Sequence, residues 1–373
     1  MTNKEWISAN TQRIEELTEL LRQKKLEFVL PVLTNPATED DVLDGLQFIN
    51  EEGVVCVGRM DADKRGEGLL TPTPSLVYTL SDDESYYIVG TGFKSIEAIC
   101  TDTSGGNAGS GLDSTWEGGR LVIPGEYNGK PVLAIAPKAF LNVMNITSVY
   151  IFDGPTHIGH RCFQCTDTSG YDITMISIRL PNTLQMAGCG QGRVLWGRQG
   201  LTTITLPNGV ALIENSIAGF CKGLDCFSAP MATSADNSPM QNSPNITKVY
   251  LPKLEHTASN LCRDCTALTS VDLPKIKVLG GSAFSGCTSL ETLRLGADLE
   301  SIGGYAFHCG SASKKTTIII EATKPPVLDA NAFNSSTYKT CIAKIIVPKG
   351  CGNAYKTATN WAIVASLIEE ATE

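Results

Sequence analysis

The sequence lacks any segment that would insert into a membrane. It contains no run of about 18 consecutive apolar residues, the minimum for a transmembrane helix. The first residues are polar and have no apolar stretch of the kind found in a secretory signal peptide. We therefore expect a protein that is made in the cytoplasm without a signal peptide and that does not insert into a membrane.

An excess of positive charge is also absent. Lys and Arg number 30 against 39 Asp and Glu, so the net charge at pH 7 is -9. No basic patch stands out that would neutralise the phosphates of a nucleic acid, and the charge gives no support for binding to anionic lipids. We predict no nucleic-acid partner.

Motifs that carry chemistry are missing as well. The sequence has no nucleophile elbow, no phosphate-binding loop and no paired-carboxylate motif. The stretch GCGQGRVLWG (188–197) superficially resembles a dinucleotide-binding loop, but it lacks the strand before it and the helix after it. The sequence therefore predicts a protein that is not an enzyme, with no catalytic residues and no cofactor.

What the chain does contain is a repeat. Leu251, Leu273 and Leu295 follow one another at intervals of 22 residues, and an apolar residue recurs every 23 residues at 261, 284 and 307. A fixed period in this range is typical of a leucine-rich solenoid, in which each repeat contributes a strand and buries its apolar side chains only against its neighbours. The period predicts a mainly β fold.

The solenoid resembles the BspA-type leucine-rich repeats. The stretch LVIPGEYNGKPVLAIAPKAF matches the pattern of their first unit at Ile123, Pro124, Tyr127, Asn128, Gly129, Pro131, Val132, Ile135, Ala139 and Phe140. The C-terminal cap of such arrays is matched at Val347, Pro348, Gly350, Ala354, Tyr355, Lys356, Asn360 and Trp361. The resemblance implies a capped solenoid over residues 119–373, with capping strands before it around Tyr78, Tyr86 and Gly90.

One cysteine-rich stretch has the spacing of a zinc site. The sequence HIGHRCFQC (157–165) combines two histidines with a Cys-x-x-Cys pair. In the register of the repeats, however, Cys162 takes the position of Ala306 and Cys165 that of Cys309. The sequence therefore predicts packing rather than metal binding at both cysteines.

The N-terminus predicts a helix that could join several chains. Apolar residues and one asparagine form a heptad seam at Ile7, Asn10, Ile14, Leu17 and Leu21. We predict a coiled coil over residues 1–27 that makes the protein a homotrimer, although a dimer stays open. The alternative is a helix that packs on its own domain.

A short segment after this helix resembles tail-fibre proteins of phages and prophages. The matching residues in ATEDDVLDGLQFINEEGVVCVGRM are Ala37, Asp41, Val42, Leu43, Gly45, Gly53, Val54, Gly58 and Met60. The strand-like runs 46–49 and 54–57, separated by a Glu-Glu-Gly turn, predict a hairpin. We assign residues 28–118 to a small β-rich adaptor that contains this segment and a Gly/Ser-rich loop. The alternative is an unrelated hairpin.

Two kinds of surface could bind a partner. Alternation along the strands places Arg179, Tyr250 and Arg294 on an exposed, polar sheet face. The repeats are interrupted at 166–174, 185–199 and 224–245, and we expect these insertions to project. Trp and Arg are frequent in binding hot spots. The insertion residues that we predict to bind are Arg193, Trp196, Arg198, Phe227 and Met231. A solvated sheet and buried loops are the alternatives.

Together these features predict a host-recognition protein of a phage or phage-like tail. The N-terminal region would attach to a tail or baseplate protein, the solenoid would bind a bacterial surface protein or glycan, and the mature protein would reside in the virion tail. The alternative is a BspA-like surface adhesin of a bacterium. Neither reading involves a metal.

Overall fold

The computed structural model describes residues 47–49, 55–57, 70–102, 110–166, 173–308, 315–333 and 341–372. The chain divides into two compact units, residues 1–69 and residues 70–373. The predicted coiled-coil seam at residues 7–21 lies outside the described residues. The second unit begins at Leu70, so it includes residues 70–118, which were predicted to belong to the adaptor.

The hairpin predicted in the first unit is confirmed. Strand β1 (Gln47–Ile49) pairs antiparallel with β2 (Val55–Val57), and Phe48 lies opposite Cys56. The rest of the tail-like segment lies outside the described residues.

The second unit is a β-solenoid of about nine turns. Each turn contributes a strand to each of two faces, and strands of successive turns pair in parallel. The first strand face consists of β5 (Gly119–Ile123), β8 (Ile146–Ile151) and β10 (Ser177–Arg179), then β12 (Thr203–Thr205), β14 (Cys226–Ser228) and β16 (Lys248–Tyr250), then β18 (Ser270–Leu273), β20 (Thr292–Leu295), β22 (Thr316–Ile320), β24 (Ile342–Val347) and β25 (Ile368–Glu370).

The second strand face has shorter strands and two sheets. It consists of β3 (Tyr78–Leu80), β4 (Tyr87–Val89), β7 (Lys130–Ile135), β9 (His157–Gly159) and β11 (Met186–Cys189), then β13 (Leu212–Ile213), β15 (Ser234–Ala235), β17 (His256–Thr257), β19 (Val278–Leu279), β21 (Ser301–Ile302) and β23 (Val327–Leu328). The two-residue strands end where the chain leaves this face and continues onto a third side of the solenoid. The short strand β6 (Glu126–Tyr127) pairs antiparallel with β7.

The third side of the solenoid consists of turns that are also linked by backbone hydrogen bonds. In one repeat, the N–H groups of Asn260, Cys262 and Asp264 donate to carbonyls of the next turn over 2.7–2.9 Å. A residue with φ between 51° and 61° recurs at the start of this side in successive turns. These residues are Lys138, Arg161, Arg193, Ser216, Ser238, Asn260, Ser282 and Tyr305.

Two of the three predicted insertions are wrong, because they are regular turns. In 224–245, β14 pairs with β12 and with β16, so that Phe227 lies between Ile204 and Val249. The interval between Leu206 and Leu251 therefore holds two turns, with Ala229 occupying the position of a leucine. The pattern was hidden because small residues replace the leucines of this turn.

The stretch 185–199 is also a complete turn. Its strand β11 pairs with β9, and the N–H of Leu195 donates to Ile217 O over 2.9 Å on the third side. Its extra residues form a bulge over 188–192, after a shift of strand register between Ala187 and Cys189. The remaining predicted insertion, 166–174, lies mostly outside the described residues.

Both ends of the solenoid carry caps, as the resemblance implied. At the start, the antiparallel hairpin β3–β4 adds to the sheet through β4, which pairs in parallel with β7. Helix α1 (Ile96–Thr101) follows, and Ser95 caps it by accepting a hydrogen bond from Ala98 N over 3.1 Å. Hydrophobic side chains of both elements join the core.

The C-terminal cap covers the last repeat with polar as well as apolar contacts. It comprises helix α2 (Gly352–Thr357) and a 3-10 helix (Trp361–Leu367). Tyr355 and Trp361 are fully buried. Tyr355 Oη donates to Ala322 O over 2.7 Å, and Trp361 Nε1 donates to Pro326 O over 3.0 Å. These donors satisfy carbonyls that no further repeat reaches.

The core positions predicted for the cysteine-rich stretch are confirmed. Cys162 and Cys165 are buried, and Phe140 stacks on Phe163 of the next turn with ring centroids 5.0 Å apart. Cys262 likewise lies beside Ala283 of the following repeat, to which it donates a backbone hydrogen bond of 2.7 Å. The cysteines therefore act as small apolar side chains in these positions.

Two turns of the solenoid approach each other closely at Gly280, and this generates a prediction. A Cβ atom there would lie 1.2 Å from Ala258 O, whereas at Gly281 the nearest atom would be 3.1 Å away. We expect Gly280→Ala to lower the free energy of unfolding by at least ~2 kcal/mol, because the backbones of two turns must separate.

The matched control is Gly281→Ala, which we expect to cost less than ~1 kcal/mol. Urea unfolding of the two variants, followed by circular dichroism, measures the difference. Equal midpoints for the two variants would contradict the close packing of turns at residue 280.

Candidate interaction surface and polar cluster

The first strand face presents two outward rows of side chains, aligned from turn to turn. The alternation is clear in β18, where Val271 and Leu273 are buried while Ser270 and Asp272 are exposed. Paired residues of the first outward row are Ser148–Ser177, Thr203–Cys226–Lys248 and Ser270–Thr292–Thr317–Lys344. Those of the second outward row are Tyr150–Arg179, Thr205–Ser228–Tyr250 and Asp272–Arg294–Ile319–Ile346.

At the N-terminal end of this face, Arg179 is held by several groups. Its guanidinium lies 4.8 Å from the centroid of the Tyr150 ring, donates to Ile151 O over 2.6 Å and lies 3.5 Å from the Asp153 carboxylate. Tyr150 is itself buried beside Phe152. The predicted binding residue Arg179 therefore has a fixed orientation and a compensated charge.

At the C-terminal end, Arg294 lies between two carboxylates. Its Nε donates to Glu321 Oε1 over 2.8 Å, and its Nη1 lies 3.6 Å from Asp272. The hydrogen bond to Glu321 raises the pKa of Arg294, while partial burial raises the pKa of Asp272 against the opposing effect of Arg294. The result is a group of polar side chains on the surface in which one guanidinium is paired with two carboxylates.

The predicted binding residues are not gathered in one place. Tyr250 is half-buried in the second outward row, whereas Arg193 and Trp196 are on the third side of the solenoid. Trp196 is half-buried and packs against Phe220 with ring centroids 4.9 Å apart. Met231 is 37% exposed, and its sulfur lies 3.1 Å from Lys253 Nζ.

Arg198 and Phe227 do not form part of any surface, which corrects the expectation that they project to bind a partner. Phe227 fills the core between neighbouring turns and is fully buried. Arg198 is also fully buried and donates to Phe163 O over 2.6 Å and to Val143 O over 3.1 Å. These bonds satisfy carbonyls of two successive turns, so Arg198 has a structural role.

A cluster of ionisable side chains lies where the second strand face divides, between β11 and β13. Cys189 ends β11 and Glu214 follows β13. His160 follows β9, and Cys100 and Asp102 come from the end of α1. His160 is fully buried, and its Nε2 lies 3.8 Å from Asp102 Oδ2. We call these five residues the break cluster.

The bulge in β11 brings α1 close to the break cluster. Gly188, Gly190 and Gly192 all have positive φ, which glycine adopts without strain. A Cβ on Gly190 would lie 2.6 Å from Asp102 O and 3.3 Å from His160 Nδ1. The bulge is therefore packed directly against the end of α1.

Burial shifts the ionisation of the break cluster. Burial raises the pKa of Cys189, and its neighbours Cys100 and Glu214 raise it further. Burial lowers the pKa of His160 against the opposing charge of Asp102, so its ring favours the neutral form. Burial, followed by the charge of Asp236, raises the pKa of Glu214 to about 7.

Within the described residues, no three His, Cys, Asp or Glu side chains are arranged to hold a metal ion. In the same part of the chain, no helix has the length and apolarity needed to cross a bilayer. In the sequence, His160 stands out only as a potential zinc ligand, and the cluster was not predicted. The one sequence signal was the group of glycines at 188–192, which marks the bulge.

The sequence profile of the BspA type leucine rich repeat region matches in six copies over residues 129–189, 192–313 and 255–356. These copies cover more than half of the chain. The chain belongs to the BspA-type leucine-rich-repeat family. No curated protein sequence matches it.

Several solved structures are similar to this BspA-type chain. A leucine-rich-repeat protein of T. pallidum is 21% identical, with 64% of this chain and 87% of that chain covered and a TM-score of 0.41. A leucine-rich cell surface protein of Faecalibacterium prausnitzii is 14% identical, with 83% and 96% covered and a TM-score of 0.35. The pneumococcal vaccine antigen PcpA is 12% identical, with 67% and 66% covered and a TM-score of 0.40.

Burial of Arg198 predicts a large effect on stability and none on surface chemistry. We expect Arg198→Leu to lower the free energy of unfolding by about 3 kcal/mol, because buried carbonyls of Phe163 and Val143 lose their donor. The control is Arg193→Leu at an exposed position, which we expect to change stability by less than ~0.5 kcal/mol. Urea denaturation measures both, and similar losses in the two variants would contradict the structural role of Arg198.

The pKa of Glu214 predicts how stability depends on pH. A carboxyl whose pKa rises from 4.5 to about 7 on folding binds more protons in the folded state, so stability falls as the pH rises from 5 to 8. We expect Glu214→Gln to be on the order of 2–3 kcal/mol more stable than the parent at pH 8, and close to it below pH 4.5.

The control for Glu214 is Glu255→Gln. Glu255 is paired with Lys277 at 2.7 Å, which lowers its pKa, so it stays ionised between pH 5 and 8 in both states. Thermal unfolding of both variants across this pH range gives the comparison. A Glu214→Gln variant whose pH profile runs parallel to that of the parent would show that Glu214 is ionised throughout.

Proposed function

We propose that this BspA-type protein is a non-enzymatic interaction protein that binds a glycan of a bacterial cell surface through the first strand face of its solenoid. This is the adhesin reading of the sequence. The observation that carries it is the first outward row, in which Ser270, Thr292 and Thr317 of successive turns lie side by side on paired strands.

The chemistry of the outward rows suits a sugar polymer. Hydroxyl groups recur in the first outward row at Ser270, Thr292 and Thr317, one on each paired strand. Paired strands are about 4.8 Å apart, so the row offers evenly spaced donors and acceptors that a repeating polymer can match. Tyr250, half-buried in the neighbouring row, adds a ring on which a sugar can stack.

The two arginines of the face are already paired with carboxylates, which supports a neutral or weakly charged partner. Arg294 is compensated by Asp272 and Glu321, and Arg179 by Asp153. An acidic polymer would have to compete with these carboxylates. Hydrogen bonding is therefore the main source of affinity in this proposal, with several weak contacts acting together.

The role in a phage tail stays a prediction that rests on residues 37–60. The hairpin β1–β2 in that segment has the expected pairing, but a hairpin occurs in proteins of many functions. Trimer formation through residues 1–27 also stays a prediction. Three copies would raise the avidity of a glycan-binding face in either setting.

The proposal is tested by blocking one face of the full chain. We expect Ser270→Arg, on the first strand face, to weaken binding to bacterial cells and to their extracted surface polysaccharide at least about tenfold, because a long side chain covers the first outward row. Binding of the labelled protein to a panel of bacteria is measured by flow cytometry, and binding to the polysaccharide by biolayer interferometry.

The matched control is Ser301→Arg, the same change on the second strand face. It should keep parental binding within about twofold, and both variants should unfold at the parental temperature. Loss of binding after protease treatment of the cells would show a protein partner instead of a glycan. Equal effects of the two variants would place binding elsewhere, and an absence of binding to every surface would overturn the proposal.

A further inference from the structure

The break cluster contains two thiols, one from the N-terminal cap and one from a strand of the solenoid. Cys100 belongs to helix α1 of the N-terminal cap, and Cys189 ends strand β11. The helix that holds Cys100 lies against the strand that ends at Cys189, and the Cys100 thiol contributes to the raised pKa of the Cys189 thiol. We propose that Cys100 and Cys189 are a thiol pair that low-molecular-weight disulfides oxidise reversibly to a disulfide, which fastens α1 to the bulge of β11.

Backbone packing supports this contact independently of the thiols. Helix α1 lies against β9 and β11. Asp102, two residues after Cys100, places its carbonyl 2.6 Å from where a Cβ of Gly190 would stand, and Gly190 adjoins Cys189. The two chain segments are thus in direct contact at this point, and the absence of a side chain at Gly190 permits it.

Access to solvent separates this pair from the other thiols. Among the ten free cysteines of the described residues, only Cys100 and Cys351 are partly exposed. Cys262 and Cys265 are also neighbours, but both are fully buried in the core, where a disulfide reagent cannot reach them. Cys351 is accessible but caps helix α2, far along the chain from any thiol of the break cluster. Among these ten cysteines, Cys100 alone is an accessible residue whose chain segment contacts that of a buried cysteine.

The reaction with glutathione disulfide proceeds in two exchange steps. The Cys100 thiolate attacks one sulfur of the reagent, the S–S bond breaks, and one glutathione leaves as a thiolate that takes up a proton. Cys189 then loses its proton and attacks the Cys100 sulfur, which expels the second glutathione. Two protein thiols are oxidised to one disulfide, and one glutathione disulfide is reduced to two thiols.

Other groups of the break cluster assist the second exchange step, in which Cys189 attacks the Cys100 sulfur. A buried thiol is a poor nucleophile because its neutral form is favoured, so it needs a neighbouring base. Glu214 is close enough for its charge to act on Cys189, and the pKa of Glu214 near 7 lets its carboxylate accept a proton at neutral pH. Burial of Cys189 protects the resulting disulfide from solvent thiols, so reduction must begin at the more exposed sulfur of Cys100.

The full chain is equilibrated with glutathione disulfide, free thiols are alkylated, and peptides are identified by mass spectrometry. We expect the parent to yield a linked Cys100–Cys189 peptide pair, while Cys351 retains a glutathione adduct because no second thiol displaces it. We also expect amide exchange of residues 96–101 to slow about tenfold after oxidation, since the disulfide limits opening of α1.

The variant Cys189→Ser removes the resolving thiol, and we expect the glutathione adduct on Cys100 to persist in it as it does on Cys351. The control Cys351→Ser should leave the linked pair unchanged. If Cys189→Ser fails to fold, the proposal is tested in the parent alone, by comparing the fate of the glutathione adduct on Cys100 with that on Cys351. A stable glutathione adduct on Cys100 of the parent, or alkylation of both cysteines after oxidation, would overturn the proposal.

Discussion

Backbone hydrogen bonding between successive turns is the constraint on which this molecule depends. A turn of the solenoid makes few such bonds within itself, and its N–H and C=O groups are paired by the turns before and after it. This holds on both strand faces and on the third side, where the N–H groups of Asn260, Cys262 and Asp264 reach the next turn. Because the bonds join each turn to the turns on both sides of it, each turn fixes the register of its neighbour, and the side chains inside stack in ladders such as Phe140 on Phe163.

The same constraint explains why the ends differ from the middle. The last turn would leave carbonyls unpaired, and the cap meets this need with side chains: Tyr355, Asn360 and Trp361 donate to Ala322, Leu328 and Pro326. At the N-terminal end of the solenoid, the antiparallel hairpin β3–β4 pairs with the first turn in the place of another repeat. Caps therefore need residues that a repeat does not, which is why the resemblance of both ends to known caps could be recognised in the sequence.

The regular part of the fold could be predicted because apolar side chains at a fixed spacing are visible in the sequence. The prediction failed at 224–245, where Ala229, Ala232 and Ala235 occupy core positions that leucine or isoleucine fills elsewhere. What that turn retains is backbone conformation, with positive φ at Ser238 and Asn242. Hydrogen bonding by the backbone does not require a leucine, so a turn can persist after its pattern has faded. The break cluster could not be predicted for a different reason. Its residues Cys100, His160, Cys189 and Glu214 are distant in sequence and come together only because the turns stack on one another.

Regularity and irregularity serve different purposes in this fold. The outward rows exist because the turns are regular, and a binding face assembled from many equivalent strands gains affinity from number and tolerates weak individual contacts. The break cluster exists because one turn is irregular: the bulge at 188–192 separates β11 from β13, and polar groups enter the space that a continuous strand ladder would close. A buried carboxyl, a neutral histidine and two adjacent thiols are costly to bury without partners. Their presence together at the break, and the absence of such a group along the described turns of the regular array, is the reason to seek chemistry there and recognition on the strand face.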